Sequence, residues 1–185
     1  MKKTFKKIQL VLQRIINVNL SAEKQELIVW NSLKKLHRDA EWRSGVYEKE
    51  KYIESIFEIS EGISGTFYYV IYDYMFHCRV KVLKKFPAEL TTEIFVLASH
   101  FNNLITFGRV EIDVPDRFVE FHCNCEVVLP LIFRDELYNK MLLHCRLAKD
   151  MYWAFDKLVL ENEAPAIIIA DLLKKNEDKE SQNPA

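Results

Sequence analysis

Strict alternation of apolar and polar residues is clearest between residues 76 and 127, and it predicts β-strands at 76–82 and 119–127. Within these segments Cys78, Cys123 and Cys125 occupy apolar positions, whereas His77 and His122 occupy polar ones. Because successive side chains of a strand point to opposite faces, we expect the thiols in the core and the imidazoles on the other face. Residues 110–114 alternate in the same way, and the following Pro-Asp dipeptide predicts a hairpin turn before residue 119.

Residues 52–60 fit either a helix or a strand by spacing alone. The glycines of 62–65 and the aromatic run of 67–72 favour a hairpin, so we predict strands on both sides of that turn. The second strand is apolar on both sides, which indicates either a central strand or one face covered by a partner. The residues 72–74 then predict a tight connection to the strand at 76–82.

Helical spacing predicts four longer helices and one short one. Residues 3–18 carry one apolar stripe, which we expect to be buried, formed by Phe5, Ile8, Leu12, Ile15 and Ile16. Ser21 is a candidate N-cap for a second helix, Pro87 begins a third that ends near Asn102-Asn103, and a long helix runs from about 137 to 159. A short apolar helix covers 166–173, the charged residues 37–50 predict a surface connection, and 176–185 predict a disordered tail.

The chain has 185 residues with 26 basic and 27 acidic side chains, hence a formal net charge of −1. This size predicts one α+β domain over 1–175, with a helical part at 1–50 and a sheet–helix core at 51–175. The even charge argues against a nucleic acid or a membrane as partner, and no small-molecule ligand or cofactor is indicated. No convincing secretory signal and no run of 18 apolar residues is present, so we expect a cytoplasmic protein.

Three His-Cys neighbours, at 77–78, 122–125 and 144–145, invite a metal or thiol site. Neighbours on a strand face opposite sides, so their side chains are not expected to converge on one centre, nor to pair a thiol nucleophile with a base. Reduced core thiols are the simpler interpretation for all four cysteines, Cys145 included. The acidic pairs 111/113 and 120/126 are read as exposed charges of a sheet face, and the glycines match no phosphate-binding loop.

The segments Phe101-Asn102-Asn103, Phe107–Asp113 and Asp150–Phe155 resemble the YbjN-type family of bacterial proteins, often labelled sensory transduction regulators. Their fold is similar to that of type III secretion chaperones. The resemblance rests on Asn102 or its neighbour Asn103, and on Gly108, Arg109, Asp150 and Tyr152, with Val110 where the family pattern has an aromatic residue. It implies an antiparallel five-stranded sheet with helices on one face, in the order α-(α)-β-β-β-α-β-β-α, and usually a homodimer.

The pattern and the resemblance together predict a non-enzymatic protein-interaction module, chaperone-like or regulator-like, that binds a protein segment or a second copy. The expected binding surface is either apolar helix surface or the polar sheet face, with neighbouring tyrosines, that carries His77, Arg79, Lys81, His122, Asn124, Tyr68 and Tyr72. The alternative is a small metal- or thiol-dependent site protein that uses the His-Cys neighbours.

Overall fold

A computed structural model describes residues 2–133 and 135–182 of the chain. In these residues the elements alternate between helices and strands in a mixed α/β arrangement. They are α1 (Lys2–Val18), α2 (Ala22–Asp39), β1 (Ser44–Tyr47), β2 (Tyr52–Ser60), β3 (Ile63–Tyr72), β4 (Met75–Leu83), α3 (Thr91–Leu104), β5 (Arg109–Asp113), β6 (Phe118–Glu126), α4 (Val128–Ile132), α5 (Glu136–Glu161) and α6 (Pro165–Gln182).

The described strands form one six-stranded sheet in the order β1-β2-β3-β4-β6-β5, so the prediction of five strands is wrong. The additional strand is β1, which lies in the segment predicted as a surface connection and pairs antiparallel with β2. Val46 lies opposite Ile53 and Tyr47 opposite Tyr52, and the two tyrosine rings stack with centroids 4.2 Å apart. A four-residue edge strand is too short to show a sustained alternation, so cross-strand contacts reveal it where the pattern does not.

The strands at 76–82 and 119–127 are confirmed as β4 and β6, and their apolar positions are buried as predicted. β5 and β6 form an antiparallel hairpin that is joined by the turn at 114–117. In its register Arg109 lies opposite His122 and Glu111 lies opposite Glu120. Asp73 and Tyr74 both have positive φ, which is the backbone of a tight two-residue hairpin turn. Residues 52–60 are a strand, which resolves the ambiguity of the pattern.

The predicted helices are present, one further helix lies where none was expected, and the last helix is longer than predicted. The short α4 occupies the beginning of the connection before α5. The last helix, α6, continues to Gln182 and therefore includes residues 176–182 of the predicted tail, while residues 183–185 lie outside the described chain. No helix among residues 2–133 and 135–182 is long and apolar enough to cross a membrane.

The buried stripe predicted for α1 is wrong. Ile8, Leu12, Ile15 and Ile16 expose between 54% and 62% of their surface, and Val11 exposes 55%. The side chain of Phe5 lies outside the described part of the chain. Helical spacing shows that a helix has an apolar side, but it does not show which side the neighbouring elements cover.

Contacts divide the chain into two compact units. One comprises Met1–Phe57, Thr66–Cys78 and Asn124–His144, and the other comprises Glu58–Gly65, Arg79–Cys123 and Cys145–Ala185. The first unit contains α1, α2, β1 and α4, and the second contains α3, β5 and α6. The assignment of residues 1–175 to a single domain stays a prediction.

Candidate interaction surface

A chain of ion pairs links the polar positions of β4, β5 and β6 within the second unit. Arg79 Nη2 lies 2.8 Å from Glu120 Oε2, and His122 Nε2 lies 2.8 Å from the same oxygen. His122 Nε2 is also 3.2 Å from Glu111 Oε2, and Arg109 Nε is 2.5 Å from Glu111 Oε1. We call these five residues the charged face. Strand alternation brings them together because all of them occupy positions opposite the buried set.

Glu120 is the buried centre of the charged face, which corrects the expectation of an exposed carboxylate. Burial would raise its pKa, but hydrogen bonds from His122 and Arg79, with the charges of those two groups, outweigh burial and lower the pKa to about 2. Arg79 and Arg109 at the two ends expose 49% and 71% of their side chains. The charged face thus presents cations that a buried anion and a half-exposed anion hold in place.

Lys81 lies on β4 two residues beyond Arg79, and it is exposed. Its Nζ is 3.8 Å from the centroid of the Phe118 ring, which is the geometry of a cation–π contact. The Tyr152 hydroxyl of α5 donates a hydrogen bond of 2.7 Å to the Lys81 carbonyl oxygen. Burial, and next the charge of Asp156, raises the pKa of Tyr152, so its hydroxyl stays a donor at neutral pH. Tyr152 therefore has a structural contact with β4.

In the first unit the exposed ring of Tyr72 stacks on His77, with centroids 4.3 Å apart and planes 10° from parallel. Tyr72 exposes 55% of its surface, Tyr68 is half-buried and Asn124 is exposed. Four of the residues predicted for the binding surface thus lie in the first unit, and the other three, Arg79, Lys81 and His122, lie in the second.

Asn102 and Gly108 position β5 rather than contact a partner. The Asn102 side chain donates to the Val110 carbonyl oxygen at 3.1 Å and accepts from the Val110 N–H at 2.7 Å. Gly108 has φ of +89°, and a Cβ there would lie 2.3 Å from the His122 carbonyl oxygen. These two residues of the resemblance therefore have a structural role, because both fix the connection between α3 and β5. Asp150 is half-buried on α5.

The cysteines of β4 and β6 are buried, as the alternation predicts. The structure adds His144 of α5, which is fully buried and packs edge-on against the Phe67 ring. Structural zinc takes about four ligands that converge on one point. That the thiols and imidazoles form no metal site stays a prediction.

His37 and Ser55 form a buried polar pair between α2 and β2. His37 Nδ1 is 2.8 Å from the Leu33 carbonyl oxygen and Nε2 is 2.8 Å from Ser55 Oγ. A carbonyl oxygen only accepts, so Nδ1 carries the proton and the serine hydroxyl donates to Nε2. Burial lowers the pKa of His37, against a smaller opposite effect of the Leu33 hydrogen bond, which keeps the ring neutral. Because both side chains are buried, we assign the pair to packing rather than to catalysis.

The apolar side of α1 is exposed, although its spacing predicted a buried stripe. Its five exposed aliphatic residues, Ile8, Val11, Leu12, Ile15 and Ile16, are named here the α1 stripe. On the helix's other side, the Arg14 guanidinium donates to the Ile132 carbonyl oxygen of α4 at 2.6 Å. Leu10, Gln13, Arg14 and Asn17 line a small cleft with residues of α2 and α4. The helix therefore packs through its polar side and leaves its apolar side uncovered.

No protein-family model and no curated protein matches the chain. Among solved structures, the chain is similar to the crystal structure of YbjN, a candidate transcription regulator from E. coli, with a TM-score of 0.44 and 8% identity. The similarity covers 71% of this chain and 89% of the YbjN chain.

Proposed function

We propose that the protein is a non-enzymatic, regulator-like module that binds a protein segment of mixed charge through the charged face. The observation that carries the proposal is the ion-pair chain from Arg79 through Glu120, His122 and Glu111 to Arg109. Charges that are already oriented lose less conformational freedom when a partner binds, and complementary charges select among partners.

The composition of the charged face favours a protein over a nucleic acid. Two carboxylates stand among its cations, so a uniform run of phosphates would meet repulsion as well as attraction. Arginine is also enriched at the energetically important positions of protein interfaces, and Arg79 and Arg109 are both accessible. Tyr72, Tyr68, His77 and Asn124 of the first unit stay predicted contributors.

The test compares the full chain with two arginine variants in quantitative capture from a cell lysate after cross-linking. Arg109→Ala removes an exposed guanidinium whose ion pair is with Glu111, so the fold should persist. We expect the amount of the captured partner protein to be at least about tenfold lower with Arg109→Ala than with the unmodified chain, because truncating an arginine at an interface often has an effect of this size. Arg146→Ala, the same change at an exposed position of α5, is the matched control and should leave capture unchanged. Equal capture by all three chains, or no captured protein, would contradict the proposal.

A further inference from the structure

The α1 stripe is a continuous apolar ridge on the first unit. Its five residues recur every three or four positions along α1, and each exposes more than half of its surface. Ile132, the last residue of α4, and Phe133, which follows it, are exposed as well, and Ile132 borders a groove with Val11 and Ile15. A cluster of exposed aliphatic residues of this extent marks an interaction surface in a water-soluble fold.

The same helix is strongly basic. Its 17 residues include Lys2, Lys3, Lys6, Lys7 and Arg14 and no acidic residue. Because the whole chain has a net charge of −1, the residues outside α1 sum to −6. The near-neutral total that argued against a membrane therefore hides a separation of charge between one helix and the rest of the chain.

We propose that α1 lies in the plane of an anionic membrane surface, with the α1 stripe in contact with the acyl chains. A helix that combines an exposed apolar side, several lysines and no acidic residue has the composition of interfacial helices. Lysine and arginine near an anionic headgroup layer add electrostatic attraction to the burial of apolar area. The packing of α1 through Arg14 and Asn17 leaves the stripe free to face a lipid surface while the protein stays folded.

Two other occupants fit the observations less well. A second copy placed stripe to stripe would bring two helices of charge +5 together with no acidic residue from either helix. A protein partner of the helix-in-groove kind needs to enclose the helix, whereas the opposite side of α1 already packs against α4 and lines a cleft with α2. A soft, anionic, planar surface satisfies both the charge and the one-sided exposure.

Vesicle flotation of the full chain tests this proposal. The probes are vesicles of phosphatidylglycerol with phosphatidylcholine in equal parts, and vesicles of phosphatidylcholine alone. We expect binding to the anionic vesicles to be at least about tenfold stronger and to weaken at high salt. Leu12→Glu places a carboxylate in the middle of the stripe and should lower binding at least about tenfold.

Leu160→Glu is the matched control, because Leu160 exposes 78% of its surface on α5, outside the stripe. It should float with the vesicles as the unmodified chain does, and circular dichroism should show both variants folded. The proposal is overturned if the unmodified chain stays with the soluble fraction, or if Leu12→Glu and Leu160→Glu bind equally. It is also overturned if Leu12→Glu converts a dimer into a monomer in light scattering while no chain binds vesicles.

Discussion

At Gly108 the backbone and the space around it both require glycine. Its φ of +89° lies in the left-handed region, and an added Cβ would also lie 2.9 Å from the Cβ of Cys123. We expect Gly108→Ala to lower the free energy of unfolding by roughly 3 kcal/mol, from backbone strain together with overpacking. Urea unfolding measures the change.

Gly62→Ala is the control for that variant. Gly62 has φ of +73° but nothing within 4 Å of its Cβ position, so the variant pays only the backbone cost of about 1 kcal/mol. Equal destabilisation by the two variants would show that the close approach of β6 to Gly108 has no energetic weight.

Glu120 should make the protein less stable as the pH falls into the acid range. Its pKa is lowered to about 2 in the folded state, so its contribution is fully present above the ordinary carboxylate pKa and is lost as pH falls through 2. The shift corresponds to about 3 kcal/mol at neutral pH. We therefore expect the stability difference between the unmodified chain and Glu120→Gln to narrow as pH falls from about 6 towards 2.

Chemical unfolding at a series of pH values measures that difference. Glu126→Gln, an exposed position of the same strand, serves as the control and should follow the unmodified chain at every pH. A constant gap between the Glu120→Gln and unmodified chains would refute the coupling of Glu120 to Arg79 and His122.

The cysteines lead to a prediction about the metal content of the protein. Because Cys78, Cys123 and Cys125 are buried with the apolar residues of their strands, we expect elemental analysis of the purified chain to find less than one metal ion per molecule. Stoichiometric zinc that is lost in Cys78→Ser would establish the metal alternative in place of the core-thiol interpretation.

Among the elements, the joint between α3 and β5 depends on one side chain. Asn102 satisfies both the N–H and the carbonyl oxygen of Val110, next to the end of the helix. We expect Asn102→Ala to cost about 2 kcal/mol, because it leaves two backbone groups without these hydrogen bonds. Asn103→Ala, at an exposed neighbouring position, should cost less than about 0.5 kcal/mol in the same unfolding experiment.

The α1 element shows why amphipathic spacing alone did not predict packing. Leu10, Arg14 and Asn17 lie on the side that meets α2 and α4, and the guanidinium hydrogen bond to Ile132 holds that side in place. A stripe of aliphatic residues is normally the buried one, since burial of each side chain is favourable by roughly 2 kcal/mol. Because the stripe is exposed here, the free energy of burying its side chains is still available for binding to an external surface.

For the whole molecule, the homodimer implied by the resemblance stays a prediction, and its test is independent of α1. Light scattering should give twice the chain mass of 21.9 kDa for the unmodified chain. Leu12→Glu should leave that mass unchanged, since stripe-to-stripe pairing is disfavoured by charge. A mass equal to that of one chain would contradict the predicted homodimer and would leave the membrane proposal unaffected.

The sequence alone determined the strands with two-residue alternation, the burial of Cys78 and Cys123, and the amphipathic character of α1. These features are local, because the period of side chains along one element reports which residues share a side. Only the tertiary structure decided that β1 joins the sheet edge, that Glu120 is buried between Arg79 and His122, and that α1 turns its apolar side outward. Each of those depends on a neighbour distant in the chain, and periodicity carries no information about which neighbour covers a side.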